Sequence, residues 1–390
     1  MDQLSIYLPP FAGDYSGVCS ALYELNSLII IDDASCCTRN YVTYDEPRWT
    51  KNKKAAFGSH LRTIEAVLGD EERLIKQTLE AVRELAPEFV ALLGSPIPAI
   101  IGRDMAGIAR EIEERSGIPA LGFNTTGFSY YNKGISDALL KVLQRFTVSR
   151  TKKAEGHVNI LGLTPLDFSA NDNGKNLIRL LEENGFHVAC SFWMEADLDR
   201  VRRAASAEVN LVVSQSGWAG ARYMYEHYGI PYVVASPVGE KYSRTVIEAL
   251  KRTMKDGKNS NLNKALSDVA GPLSLLIIGD QVISNSLRSA MYQLGCFQNI
   301  TVASFFALEP ELALPGDLFL KSEKQLSELL KSGDYRGMIA DPLIGRIPAA
   351  VSLECYDLPH PAVSSLLYWN DVPLLIGRKF EESLQNWIGG

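Results

Sequence analysis

A strand, a turn, an amphipathic helix, a Gly-Ile-Pro stop and a second strand recur along this chain, and that recurrence admits few folds. Glu88–Gly94 reads as an apolar strand, Asp104–Arg115 as a helix, Gly117-Ile118-Pro119 as its end and Ala120–Asn124 as the next strand. The order returns with Asn210–Ser214, the helix Gly220–His227, Gly229-Ile230-Pro231 and Tyr232–Ser236. Related units run over His157–Ser191 and Leu273–Ser304, where the helices Asn176–Asn184 and Asn285–Leu294 end at Gly185 and Gly295. Glycine is favoured just past a helix because it enters the left-handed region without a steric penalty. Continuous β-branched strands alternating with amphipathic helices call for parallel strands, because each crossover helix buries its apolar stripe on the sheet. The expected fold class is α/β, built of Rossmann-like parallel-sheet modules with helices on both faces.

At 390 residues the chain exceeds one ordinary domain of roughly 100–200 residues. Three modules are expected: 1–150, carrying a cluster of cysteines, then 151–265 and 266–390. The polar stretch Arg145–Gly156 reads as the first linker and Lys255–Ala265 as the second.

Thirty-nine Lys and Arg against 46 Asp and Glu leave a net charge of −7. With no basic block, neither nucleic acid nor an anionic membrane surface is expected as the main partner. The longest apolar runs, Leu28–Ile31 and Leu273–Ile278, are strand-length, far short of the roughly 18 residues of a membrane span. Asp2 and Gln3 stand where a signal peptide carries basic residues, so a cytoplasmic protein is expected.

Ligands of open α/β sheets collect at the carboxyl ends of strands. That makes candidates of the loops Gly94-Ser95-Pro96, Gly162–Pro165, Ser214–Trp218, Gly279-Asp280 and Ala340–Pro342. None is a phosphate fingerprint: no G-x-G-x-x-G follows a strand and no G-x-x-x-x-G-K-[ST] occurs. A G-x-S-x-G elbow is also absent, and His60, His157, His187, His227 and His360 sit in unrelated contexts. His157 and His187 read as strand residues, and His227 as the end of a helix.

Cys19, Cys36 and Cys37 cluster, whereas Cys190, Cys296 and Cys355 are scattered. Cys190 and Cys296 read as packing residues; Cys355, near His360, is a weaker candidate for an auxiliary site. Zinc is poorly served, because C-x-x-C spacing is missing and adjacent cysteines do not readily share one tetrahedral ion. A Gly-rich loop places Cys19 in the first turn of a helix, where free N–H groups stabilise a thiolate. Cys36 and Cys37 follow the strand Leu28–Asp32. Two thiolates brought together in this way could share a soft metal site, iron–sulfur ligation among them; the alternative is that the cysteines are buried or incidental.

Gly17-Val18-Cys19, Asp33–Tyr41 and Ala56-Phe57-Gly58 follow one another in the first module, and Gly94–Asp104, Ile118-Pro119 with Phe123–Phe128, Arg222–Pro231 and Gly279-Asp280 continue the series. In order and spacing these segments resemble the component 1 family of nitrogenase and nitrogenase-like oxidoreductases, dark-operative protochlorophyllide reductase included, with Cys37 at a ligand position. It implies a cluster bound between two subunits, with Cys19 and Cys37 as metal ligands and Cys36 as a further cofactor-binding thiol. The family's third cluster cysteine falls on Pro96 and its active-site cofactor cysteine on Ala221. His360 lies in the region of that cofactor's histidine ligand but outside its usual context. These departures argue against dinitrogen reduction.

Two thiolates from each of two chains would supply the four that a 4Fe–4S cluster needs. Either a homodimer or a pair with a paralogous component 1 subunit would provide them. Asp14, Asp32 and Asp33 are possible carboxylate substitutes, although capping and loop roles suit them better. The resemblance implies a nitrogenase-like iron–sulfur oxidoreductase that accepts electrons from an ATP-dependent iron protein and reduces an organic substrate other than dinitrogen. That substrate would lie in a cleft bordered by Ser214–Trp218 and Arg222. The alternative is a metallocluster assembly scaffold or carrier of the same family. A small-molecule binding protein with incidental cysteines is the reading from a different class.

Overall fold

The computed structural model describes residues 5–49, 54, 56–148, 152–264, 274–295, 299–333 and 335–389. Three parallel sheets follow one another along the chain. The first has the order β2-β1-β3-β4, from β1 (Ser27–Ile31), β2 (Ala56–Gly58), β3 (Phe89–Leu93) and β4 (Ala120–Phe123). The second has the order β6-β5-β7-β8-β9, from β5 (His157–Leu161), β6 (His187–Ser191), β7 (Val209–Val212), β8 (Tyr232–Val234) and β9 (Ser260–Asn261). The third has the order β12-β11-β10-β13-β14, from β10 (Ser274–Ile278), β11 (Asn299–Ser304), β12 (Leu318–Phe319), β13 (Tyr335–Ala340) and β14 (Glu354–Asp357).

The α/β architecture is the one the alternating pattern required. β1, β3 and β7 are buried at every residue, as strands with both faces covered must be. The recurring helices form at Met105–Ser116, Trp218–Tyr228, Asn173–Glu183 and Gln281–Leu294. Gly117, Gly229 and Gly295 end three of them with positive φ. His157 and His187 are indeed strand residues, paired across β5 and β6 with ring centroids 5.3 Å apart.

The sheets do not stand apart. One apolar cluster contains Leu22, Leu161 and Phe306 and so runs through all three regions. The C-terminal helix Arg378–Gly389 returns to the second sheet, where Glu381 accepts the backbone N–H groups of Glu240 and Lys241 at 2.7 and 2.9 Å. Near the other terminus, Glu323 of the helix Glu323–Ser332 accepts from the backbone of Tyr7 and Leu8 at 2.9 and 2.8 Å.

The closest approach inside the first region is between the helices Asp14–Leu22 and Tyr131–Phe146. A Cβ on Gly17 would lie 2.0 Å from the carbonyl oxygen of Tyr131, and one on Gly134 would lie 1.9 Å from that of Asp14. Only glycine allows these backbones to touch. The contact fixes Tyr131 and Cys19 in place at once.

Candidate functional site

The helix carrying Cys19 begins at Asp14, so Cys19 lies in its second turn, not its first as expected. Its side chain is fully buried. Burial, reinforced by the carboxylates of Glu46, Asp45 and Asp33, pushes its thiol well above the ordinary cysteine range.

Cys36 and Cys37 open the short helix Cys36–Asn40, with Cys36 exposed and Cys37 half-buried. Asp33 orders this turn, its carboxylate accepting from the Thr38 backbone at 2.6 Å and the Thr38 hydroxyl at 3.0 Å. Cys37 lies beside Tyr15 and Ser95, while burial and then Asp33 push its thiol up to about 11. Metal coordination would be needed to hold it as thiolate at neutral pH. A cavity of about 500 Å³ opens alongside, lined by Pro9, Pro10, Phe11, Gly13, Tyr15, Asn40, Tyr44, Asp45, Gly127 and Val363–Leu367.

The three flagged aspartates hold structural hydrogen bonds. Asp14 accepts from the Thr126 and Gly127 backbones at 2.9 and 2.7 Å, locking the loop after β4 onto its helix. Asp32 is buried against Arg103 at 2.8 Å and Ser59 at 2.6 Å. Asp33 caps the cysteine turn. Among the described residues no three His, Cys, Asp or Glu side chains are grouped to hold a metal ion. A cluster on this chain would therefore draw thiols from a second chain. Cys36 and Cys37 are accessible for that. Cys19, as packed, is sealed from it.

Cys190 is fully buried on β6, in keeping with a packing role, and Cys296 lies outside the described residues. Cys355, half-buried on β14, lies against the backbone of Gly345. Ala221 is fully buried on its helix and offers no ligand atom.

A second constellation lies where the three sheets meet. Its carboxylates come from segments after strand ends: Asp167 after β5, Asp280 after β10 and Asp341 after β13. His360 follows β14, and Tyr131 comes from the first region. The Tyr131 hydroxyl hydrogen-bonds Asp167 Oδ1 closely. His360 Nε2 lies 3.0 Å from the same hydroxyl and 3.1 Å from the same Oδ1. Tyr131 has one hydrogen and gives it to the carboxylate, so Nε2 supplies the other hydrogen of this triangle.

Asp280 caps the helix Gln281–Leu294 by accepting from Val282 and Ile283 at 2.9 and 3.0 Å. It also bridges to the second sheet, accepting the Gln215 N–H at 3.0 Å. Burial and the negative charge of Asp167 push it up to about 7. Asp341 is raised by burial and held back by the N–H of His360 and the Ser364 hydroxyl.

The loops Gly162–Pro165, Ser214–Trp218, Gly279-Asp280 and Ala340–Pro342 were candidates by position, and they do supply or flank this junction. Asp167 and Tyr131 were not visible in the sequence, and His360 lacked a context there. The one available signal was the repeated placement of an Asp at or shortly beyond a strand's carboxyl end.

Fold and site together define a three-sheet parallel α/β protein, with a surface thiol pair on its first sheet and a buried acid–imidazole centre at the junction. Residues 15–269 match the nitrogenase component 1 type oxidoreductase family model, and the chain belongs to that family. It is similar to the nitrogenase iron-molybdenum cofactor biosynthesis protein NifE of Methanosarcina barkeri, 27% identical over 52% of this chain and 45% of that one. A nitrogenase molybdenum-iron protein alpha chain from Methanothermobacter marburgensis is 28% identical over 51% of this chain and 43% of that one. A light-independent protochlorophyllide reductase polypeptide from Nostoc punctiforme is 23% identical over 44% of this chain and 36% of that one. These alignments span less than half the length of each relative. The solved structure described as nitrogenase Cp1 at pH 5 covers 100% of this chain and 90% of its own, with a TM-score of 0.68 at 16% identity, which is a likeness of fold. No helix among the described residues is long and apolar enough to cross a membrane.

Proposed function

We propose that this chain is a component 1 subunit of a nitrogenase-like iron–sulfur oxidoreductase. It receives electrons from an ATP-dependent iron protein and reduces an organic substrate other than dinitrogen. The observation that carries this reading is the accessible pair Cys36 and Cys37 in a chain whose described residues group no third metal-binding side chain with them. Exposed apolar side chains on neighbouring segments, Phe57 on β2, Ile97 and Ile100 on the helix after β3, and Phe128 after β4, suit coverage by a second chain. That chain is a second copy or a paralogous component 1 subunit.

In this proposal Cys37 and Cys36 of each subunit hold a 4Fe–4S cluster at the interface. Cys19 joins the set only if its helix loosens from Tyr131–Phe146. The cluster would supply a one-electron relay. The chain's own part is to position the thiols through Asp33, shield Cys37 with Tyr15 and Ser95, and exclude water through the apolar rim.

Anaerobic purification with iron and sulfide analysis and an absorption spectrum tests this directly. The expected result is about four iron per dimer, lost in Cys37→Ala and reduced in Cys36→Ala. Iron loss in Cys19→Ala with retained folding would place Cys19 in the set. An iron-free wild type, purified alone and with a co-expressed paralogue, would overturn the proposal.

A second reading, an assembly scaffold or carrier, is favoured by the NifE relative, whose name assigns it to cofactor biosynthesis, and by Pro96 at the third cysteine position. It predicts a cluster that leaves during desalting and passes to an apo-acceptor, whereas a reductase keeps its cluster.

A further inference from the structure

The junction of the three sheets encloses a cavity of about 30 Å³, room for two waters or one ammonium-sized head group. Asp167 lines it, together with Asp280, Ser284 and His360, and the side chains of Ile283, Leu287 and Leu375 form apolar wall. The Asp167 side chain has no solvent exposure. Its Oδ1 accepts from Tyr131 and His360, while its Oδ2 has no partner at all. Buried carboxylate oxygens are almost always satisfied, because an unmade hydrogen bond there forfeits the hydration it replaced.

The electrostatics select the missing partner. The titratable groups facing Asp167 are Tyr131 from its helix, Asp280 from the end of β10, and His360 from the segment after β14, with Asp341 behind His360. Among the described residues no Lys or Arg lines the cavity. An anion would face the carboxyls of Asp167 and Asp280, with Asp341 behind them. A neutral donor would satisfy Oδ2 but would not offset the charge that the Asp280 carboxyl carries once its proton has left. A small cation with N–H donors answers both, and the apolar wall accepts a short carbon substituent.

We propose that this cavity is a binding site for a small organic cation, a primary ammonium with at most a short alkyl group, which Asp167 Oδ2 receives by a charge-assisted hydrogen bond. The proposal does not rest on the cysteine pair or on the redox reading above. The Asp280 carboxyl beside it titrates at about 7, so a bound cation favours loss of that proton and the cation enters as a proton leaves.

The test is isothermal titration calorimetry on the full chain at constant ionic strength, with methylammonium and ethylammonium as probes. Methanol, ethanol, acetate and sodium serve as comparisons. The ammonium ions should bind at least about tenfold more tightly than any of these. Asp167→Asn should weaken them by at least the same factor, and the heat at neutral pH should change with buffer ionisation enthalpy. Absence of ammonium binding at millimolar concentration would mean that water alone fills the cavity and would overturn the proposal. Equal binding of the alcohols or of sodium would overturn it too, as would unchanged affinity in Asp167→Asn. If that variant does not fold, the probe series on the wild type decides the matter alone.

Discussion

Replacing Asp280 with Asn should make the protein less stable below about pH 4 and more stable in mild base. The Asp280 carboxyl is fully buried and titrates near 7 instead of 3.8, first because of burial and then because of Asp167. Its folded value lies above its unfolded one, so the folded state holds the proton between the two. The stability this group contributes is complete below about pH 4 and is lost as the pH rises through about 7. A shift of roughly three units corresponds to ~4 kcal/mol across that window. Asn keeps the helix cap, since its oxygen still accepts from Val282 and Ile283. Its amide nitrogen, however, meets the Gln215 N–H that Oδ2 accepted at 3.0 Å, a loss of about 1–3 kcal/mol.

The variant should therefore be about 1–3 kcal/mol less stable than wild type at pH 4 and below, with the curves crossing between about pH 4.5 and 6. Near pH 8, where the wild type has lost its ~4 kcal/mol, the variant should be about 1–3 kcal/mol the more stable. Urea unfolding followed by tryptophan fluorescence at several pH values gives the two curves. Their crossing is the signature. Curves that stay parallel to within about 0.5 kcal/mol, the ordinary scatter of a neutral substitution, would refute the account of Asp280.

Gly134→Ala must move two backbones apart by about an ångström or more, and urea unfolding should register about 3 kcal/mol of destabilisation; Gly185→Ala, where φ is +87° and nothing lies within 4 Å, should cost only about 1 kcal/mol. Arg103→Met leaves the buried Asp32 carboxylate without its ion-pair partner and should cost about 3–5 kcal/mol in the same assay, much of it recovered by adding Asp32→Asn. Glu323→Gln weakens the acceptor for the Tyr7 and Leu8 amides, so their hydrogen exchange should accelerate while that of β1 is unchanged; equal acceleration in β1 would refute a local tether.

The element pattern was legible because its causes are local. The helix Met105–Ser116 and β4 follow from apolar periodicity and a glycine stop, and the observed bounds differ from the expected ones by a residue or so. The cysteine region was half legible. The turn at Cys36 and Cys37 is local, set by Asp33 three to five residues away, whereas the burial of Cys19 depends on Gly134, more than a hundred residues distant. No spacing rule within Pro9–Cys19 could report that second helix. The thiol therefore reads in sequence as helix-terminal, with burial left open as the alternative, and is sealed in the fold.

Alternation of strands and helices, the absence of a phosphate loop and the order of family motifs from Gly17 to Asp280 were determined by the sequence alone, because they depend on residue type and short spacing. Which side chains share a site was decided by the tertiary structure. Tyr131, Asp167, Asp280 and His360 are separated by 36, 113 and 80 residues in turn, and each sits in a segment with an adequate local reason to be there. Their meeting arises because three parallel sheets pack with carboxyl-end loops toward a common junction. In that interior the Tyr131 hydroxyl and the His360 imidazole converge on the Asp167 carboxylate, while Asp280 beside them takes its hydrogen bonds from backbone N–H groups of two regions.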